Sequence, residues 1–209
     1  QWMDLSGNGN HANKAGGNPS YNSSEQSIVF NGSNTYYNIG TNITTGTSYT
    51  AIVVEERKSN KNSNYFMGQA GSNNTNQNLH LGYRNDTSLA LAHYANDQDG
   101  VVRAFGNTDL SVFRFNKEVS LNSHNINYNG ALIVRKGGNG ALTNTGDNYI
   151  GQANGQYYNG EIKEIIVFNQ YIDDNKLRAI THYLAKKWGL EASVDSDGDG
   201  VMDANDVYP

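Results

Sequence analysis

The residues best suited to chemistry lie near the C-terminal end of the chain. The run Asp195-Ser-Asp197-Gly-Asp199-Gly-Val201-Met-Asp203-Ala-Asn-Asp206 puts carboxylates at positions 1, 3, 5, 9 and 12 of a loop. Gly200 stands at position 6, and Val201 offers its carbonyl at position 7. A hard divalent cation takes roughly six to eight oxygens, and this is the ligand spacing of an EF-hand calcium loop. Glycine at the sixth position permits the sharp turn that folds the carboxylates inward. Without a cation, like charges this close repel one another. The expected ion is therefore Ca2+. Position 12 is Asp206 rather than the usual glutamate, a shorter arm for bidentate ligation.

A second group lies between His80 and Asp99. Leu79–Arg84 alternates, so Leu79, Leu81 and Tyr83 face one way and His80 and Arg84 the other. The stretch ends in Tyr94-Ala-Asn96-Asp97-Gln98-Asp99. Flat rings supply stacking area, and amide, acid and guanidinium groups fix hydroxyls; together they suit a saccharide. The candidate contacts are His80, Tyr83, Arg84, Tyr94, Asn96, Asp97 and Asp99, with Tyr157 added from the Gly-rich turn before Tyr158. Tyr158 is expected in the core and Tyr157 at the surface.

Paired carboxylates for glycoside cleavage are not visible. Such a pair must flank the scissile bond. Glu55 and Glu56 are adjacent, so a strand points them to opposite faces, and Glu161 and Glu164 differ by an odd number. The expectation is a non-catalytic glycan binder. Two other roles fit the same residues: a protein-binding or spacer domain of a surface adhesin, and a cryptic polysaccharide lyase or hydrolase.

The elements that must position these groups are short strands between turn clusters. Ser48–Glu55 is apolar and β-branched; Tyr65–Gly68, Leu79–Arg84, Ser88–Tyr94, Leu110–Phe115 and Gly160–Phe168 follow. Asn125–Tyr128 and Ala131–Arg135 flank Asn129-Gly130, a hairpin signal because Asn-Gly supplies positive φ angles. One segment has helical period: Leu177, Ile180, Leu184 and Trp188 share a face after a cap at Asp173 or Asp174, and Gly189 offers a left-handed end. The fold class read from this pattern is all-β, an antiparallel sandwich with one C-terminal helix. Composition turns abruptly to Asp and Gly after Leu190, so the chain divides into residues 1–190 and an appendage, 191–209.

With 209 residues, a net charge of −5 and no basic stripe, nucleic acid is not an expected partner. The small cluster Arg57, Lys58 and Lys61 reads as a solvated loop. No apolar run is long enough to span a membrane. There is no cysteine, which together with a calcium loop points to a secreted or cell-surface protein held by metal rather than disulfides. Starting mid-motif at Gln1, the chain is expected to be part of a longer one.

Several motifs carry a family likeness. Trp2-Met-Asp4-Leu-Ser6-Gly7-Asn8-Gly9-Asn10-His11-Ala12 resembles the opening of bacterial laminin-G-like, concanavalin-A-like jelly rolls. So do Val29-Phe30-Asn31-Gly32-Ser33 with Tyr36-Tyr37, the strand Asn159–Asn169 and the helix Tyr183-Leu184-Ala185-Lys186-Lys187-Trp188-Gly189-Leu190. The likeness implies a jelly-roll sandwich over residues 1–190 and leaves function open, because the fold hosts binders and enzymes alike. The E-x-D-x-x-E strand of related β-glucanases and the Q-I-H pattern of related lyases are absent. Residues 195–209 resemble a thrombospondin type 3 repeat. That likeness implies Asp195, Asp197, Asp199, the Val201 carbonyl and Asp206 as direct ligands, and Asp203 as a ligand directly or through water. The loop then reads as a metal-stiffened exit rather than the glycan site.

Overall fold

The structure is a computed structural model that describes residues 1–121, 123–138 and 140–209. Its elements in chain order are β1 (Asn13–Gly16), β2 (Ser20–Asn22), β3 (Ser27–Asn31), β4 (Tyr36–Asn38), β5 (Tyr49–Arg57), β6 (Asn64–Gln69), β7 (His80–Asn85) and β8 (Ser88–Ala92). Then come β9 (Asp97–Val101), β10 (Thr108–Phe115), β11 (His124–Tyr128), β12 (Ala131–Lys136), β13 (Asn148–Ile150), β14 (Gln152–Ala153), β15 (Gln156–Tyr157), β16 (Asn159–Phe168) and α1 (Asp174–Trp188). Two antiparallel seven-stranded sheets form a jelly-roll-like sandwich. The first has the order β1-β4-β13-β6-β7-β8-β9, and the second β12-β11-β10-β5-β16-β3-β2. The pair β14–β15 is a separate small hairpin.

β5 shows why the sequence folds this way. Its apolar run is buried on both faces: Ala51 and Val53 enter the core between the sheets, while Ile52 and Val54 enter a second core. That second core is the outer face of the second sheet, capped by Leu177, Leu184 and Ala185 of α1. Asp173 caps the helix through the Lys176 amide, and Gly189 ends it at φ 66°. Helix and acidic loop thus cover the second sheet, and the outer face of the first sheet is left for other uses.

Register shifts occur at several strand pairs, and those at Phe66 and Lys163 reset the side-chain alternation. At Phe66 the register slips, so Phe66 and Met67 both enter the core and Tyr65 turns outward opposite Gly82. At Lys163 the register of β16 on β5 slips again. An extra residue flips every later side chain. Glu161 and Glu164 therefore share the outer face, contrary to the parity expected from their spacing.

Charge is also built into the interior. Glu55 is fully buried and accepts hydrogen bonds from the Tyr83 hydroxyl at 2.5 Å and from the Tyr158 hydroxyl. The guanidinium of Arg57 lies 3.6 Å from the centre of the Tyr83 ring and donates to the carbonyls of Asp86 and Arg103. Arg57 is thus no solvated loop residue: it is 2% exposed. Burial pushes the Glu55 carboxyl up to about 8, against the lowering effect of the two tyrosine hydrogen bonds.

Candidate functional site

The outer face of the first sheet gathers most of the predicted contacts. On β7, His80 and Arg84 point outward as the alternation required, and the small residues Gly82, Ala90 and Ala92 form the floor between them and the edge strand β9. Gly82 cannot be larger: a Cβ there would lie 2.7 Å from the Asn64 carbonyl oxygen. Arg84 spans the sheet to β9. Its Nε donates to both oxygens of Asp99 at 3.0 and 2.9 Å, and its Nη2 to Asp97 at 2.8 Å. The segment carrying Asp97 and Asp99 is the edge strand of this sheet.

Three rings stand beside this ion-pair network. His80 lies 5.0 Å from Tyr65 and 6.3 Å from Tyr94, centre to centre. His80 and Tyr65 are nearly covered, at 8% and 5% exposure, whereas Tyr94 is half-buried. Tyr94 is therefore the most exposed of the three rings, with the covered His80 beside it. Burial holds the His80 imidazole down to about 4, with Arg84 acting in the same direction and Asp97 opposing. It is neutral at pH 7.

The backbone here is strained. Tyr94 has φ 35° and Ala95 φ 63°, two successive non-glycine residues in the left-handed region. Such residues cost on the order of 1–3 kcal/mol each and concentrate at ligand clamps. The Asp97 Oδ1 is buried with no hydrogen-bond partner among the described residues. An unsatisfied buried acceptor costs about 1–3 kcal/mol. The two left-handed residues and the buried acceptor fall within one short stretch, Tyr94 to Asp97.

Three predicted contacts fall elsewhere. Tyr83 points into the core, is fully buried and donates to Glu55, because it shares the inward parity of Leu79 and Leu81. Asn96 turns its amide to Asn76, 2.6 Å away. Tyr157 is half-buried across the β14–β15 hairpin, packed on Tyr36. Tyr65 was missed by sequence reasoning, since only the Phe66 bulge turns it outward. A regular strand beginning at Phe66 would have hidden it.

The acidic loop brings part of its expected set together. Oxygens of Asp195, Asp197 and Asp199 lie within 4.8 Å of one another, and Asp206 is not in that group. Gly198 and Gly200, at φ 80° and 98°, let their amides donate to the two oxygens of Asp195. The Val201 amide donates to Asp199. Asp203 is turned away. Its Oδ1 accepts from the Ser196 amide at 2.7 Å, and its Oδ2 from the Ser196 hydroxyl at 2.6 Å with His182 Nδ1 at 3.3 Å. Both of its oxygens thus accept from protein donors, and it lies outside the converging group of Asp195, Asp197 and Asp199. The loop is docked, not trailing: Val194 is fully buried in the helix-facing core, and the Asp195 amide donates to the Asn129 carbonyl.

Glu55, Glu56, Glu161 and Glu164 are each engaged by neighbouring side chains. Glu161 is held by Ser27, Asn22 and Lys58, and Glu164 by Lys187 and the Trp188 indole. Glu55 is sealed between the sheets, and Glu56 pairs with Lys58.

No family model matches the sequence, and no curated protein matches it in a sequence search. Solved structures do share the fold. The carbohydrate-binding module 40 of the Ruminococcus gnavus IT-sialidase, bound to alpha2,3 sialyllactose, superposes with a TM-score of 0.59 at 16% identity, covering 75% of this chain and 96% of the module. Domain 4 of AbnA, an extracellular arabinanase from Geobacillus stearothermophilus in complex with arabinotriose, gives 0.63 at 14% identity, covering 81% and 87%. A structure of botulinum neurotoxin type C, whose cell entry depends on two ganglioside molecules, gives 0.61 at 12% identity, covering 87% of this chain and 48% of that one.

Proposed function

We propose that the chain is a non-catalytic carbohydrate-binding module that holds a neutral glycan on the outer face of its first sheet. The observation that carries this reading is the half-exposed Tyr94 ring, propped on His80 beside the Arg84–Asp97–Asp99 network. The ring supplies a stacking surface for the C–H face of a sugar. Arg84 and the two aspartates supply donors and acceptors for its hydroxyls. Structures of the same fold bind sialyllactose and arabinotriose, which supports a saccharide as ligand.

The charge balance narrows the sugar class. One guanidinium faces two carboxylates and His80 is neutral, so the site carries one net negative charge on a chain of net charge −5. A sialylated or uronic glycan would meet repulsion there; a neutral one would not.

The acidic loop is assigned to Ca2+, in the manner of a thrombospondin type 3 repeat. Asp195, Asp197 and Asp199 supply the converging oxygens, and the buried Asp206 Oδ2, without a hydrogen-bond partner among the described residues, is an oxygen suited to a cation. When bound, the ion relieves the repulsion among the carboxylates and fixes the loop against the sandwich. A weak site of this kind suits the calcium-rich exterior of a bacterial cell, and the proposed setting is a secreted adhesin or polysaccharide-degrading enzyme.

A glycan array probed in calcium, and again in chelator, tests the reading. Binding to neutral glycans that Tyr94→Ala and Arg84→Ala each reduce at least tenfold is the expected result. Binding confined to sialylated glycans, or binding that ignores both substitutions, overturns it.

A further inference from the structure

A second aromatic group sits on the same outer face, on the far side of the β14–β15 hairpin. Tyr36 lies 5.8 Å from Tyr149 and 5.8 Å from Tyr157, and all three rings are half-buried. Their neighbours in sequence point inward: Tyr37, Ile150 and Tyr158 are core residues. The alternation thus delivers three rings outward from three different strands. Gly16 lies beneath Tyr36, where a Cβ would come within 2.2 Å of the ring, so the backbone is shaped to seat it.

Register ties this group to the first one. Tyr149 is opposite Gly68, Gly68 is opposite His80, and His80 is opposite Ala92, which faces Asp97. Tyr149 and His80 therefore lie in one row two strands apart, roughly 10 Å at the usual strand spacing. Between them Ala153 covers Gly68, which leaves no room for a Cβ: one would approach the Ala153 methyl to 2.3 Å. The hairpin divides the face into two compartments, each with rings. The polar groups in the second are also arranged. Asn38 donates to Asp147 at 2.9 Å, and Lys61 reaches the Tyr157 carbonyl at 2.8 Å.

We infer that Tyr36, Tyr149 and Tyr157 form a second saccharide subsite, so that the module recognises an oligosaccharide at two points rather than a single terminal sugar. This rests on the glycan reading above. The occupant is a further unit of the same neutral glycan, because the two compartments lie on one sheet face, in one row two strands apart, and share the same chemistry of rings edged by amide and acid groups.

Amide NMR titration of the full chain in calcium tests it, using arabinose, glucose and galactose against arabinotriose, cellotriose and galactotriose. A trisaccharide that binds is expected to shift amides around both Tyr94 and Tyr149, and to bind about tenfold more tightly than its monosaccharide. Tyr149→Ala and Tyr157→Ala should remove that gain and leave monosaccharide binding intact, while Tyr149→Phe should keep it. Thermal unfolding of each variant identifies any loss that comes from misfolding, and the exposed-side Tyr157 change gives the decisive reading if Tyr149→Ala is unstable. Tyr94→Ala should weaken both ligands. Trisaccharide shifts confined to the Tyr94 side, or a chain-length gain that survives both alanine changes, overturn the second subsite alone. Absence of binding by every sugar overturns the glycan reading and the subsite with it.

Discussion

Replacing Glu55 by Gln should change how stability depends on pH, in a direction the interior fixes. Glu55 is fully buried, and burial raises its carboxyl to about 8. An unfolded glutamate titrates near 4.3 or so. The folded chain therefore binds this proton more tightly than the unfolded one. Its contribution is complete at pH values below the unfolded pKa and is lost as pH rises through about 8. Three histidines oppose it. Burial lowers His80 and His124 to about 4 and His93 to about 3, the last also through its neighbour His124. Unfolded histidine titrates near ~6.5, so their contribution is complete above that value and is lost as pH falls. Below ~6.5 three histidines outweigh one glutamate, and stability rises with pH. Above it only Glu55 acts, and stability falls by up to about 1.4 kcal/mol per pH unit, on the order of 2 kcal/mol between pH 6.5 and 8. Urea unfolding at fixed salt and calcium, at half-unit steps from pH 5 to 9, should show a maximum near pH 6.5. Glu55→Gln should keep the acid limb and lose the decline above it. A wild-type curve that is flat or still rising to pH 8, or an unchanged decline in Glu55→Gln, refutes the reasoning.

Three further outcomes follow from the same coordinates. Calcium should raise the unfolding temperature, by an amount equal to about 2.7 kcal/mol at a hundredfold excess over Kd; Asp195→Asn and Asp197→Asn should abolish the effect, and calorimetry with and without chelator reads it. Gly130→Ala should cost on the order of 1–3 kcal/mol and release the acidic loop, because the new Cβ would lie 1.8 Å from the Asp195 carbonyl oxygen at φ 87°; equilibrium unfolding and limited proteolysis around residue 195 check it. Asp173→Ala should cost about 1 kcal/mol by removing the cap on the Lys176 amide, measured by the same unfolding curves.

Much of the scaffold could be read from local chemistry. The helix was visible because cap, apolar stripe and terminal glycine all agree, and it runs from Asp174 to Trp188 with Gly189 left-handed as expected. Asn129-Gly130 marked the β11–β12 hairpin for the same kind of reason. The outward pair His80 and Arg84 followed from strict alternation. The rest escaped because it depends on register between distant strands. The bulges at Phe66 and Lys163 leave no mark in the sequence, yet they decide that Tyr65 faces out and that Glu161 and Glu164 share a side. Asp97 and Asp99 gave no strand signal because acidic residues rarely make strands; β9 is an edge strand, where charge is tolerated and Arg84 answers it. Tyr83 was placed with the ligand contacts although its own parity put it inside, and the buried acceptor it serves, Glu55, lies 28 residues away in the chain.

The docking of the acidic loop has a mechanical meaning. Three backbone hydrogen bonds, donated by the amides of Asp195, Asp203 and Ala204 to the carbonyls of Asn129, Val194 and Glu191, bind the segment after α1 to the β11–β12 hairpin and to its own base. With Val194 seated under the helix, tension applied at residues 207–209 does not peel a loose tail. It passes through the loop into the hairpin and helix covering the second sheet, while the first sheet and its aromatic face lie outside the line of force. On the proposed calcium assignment, the strength of that clasp depends on the ion that draws Asp195, Asp197 and Asp199 together.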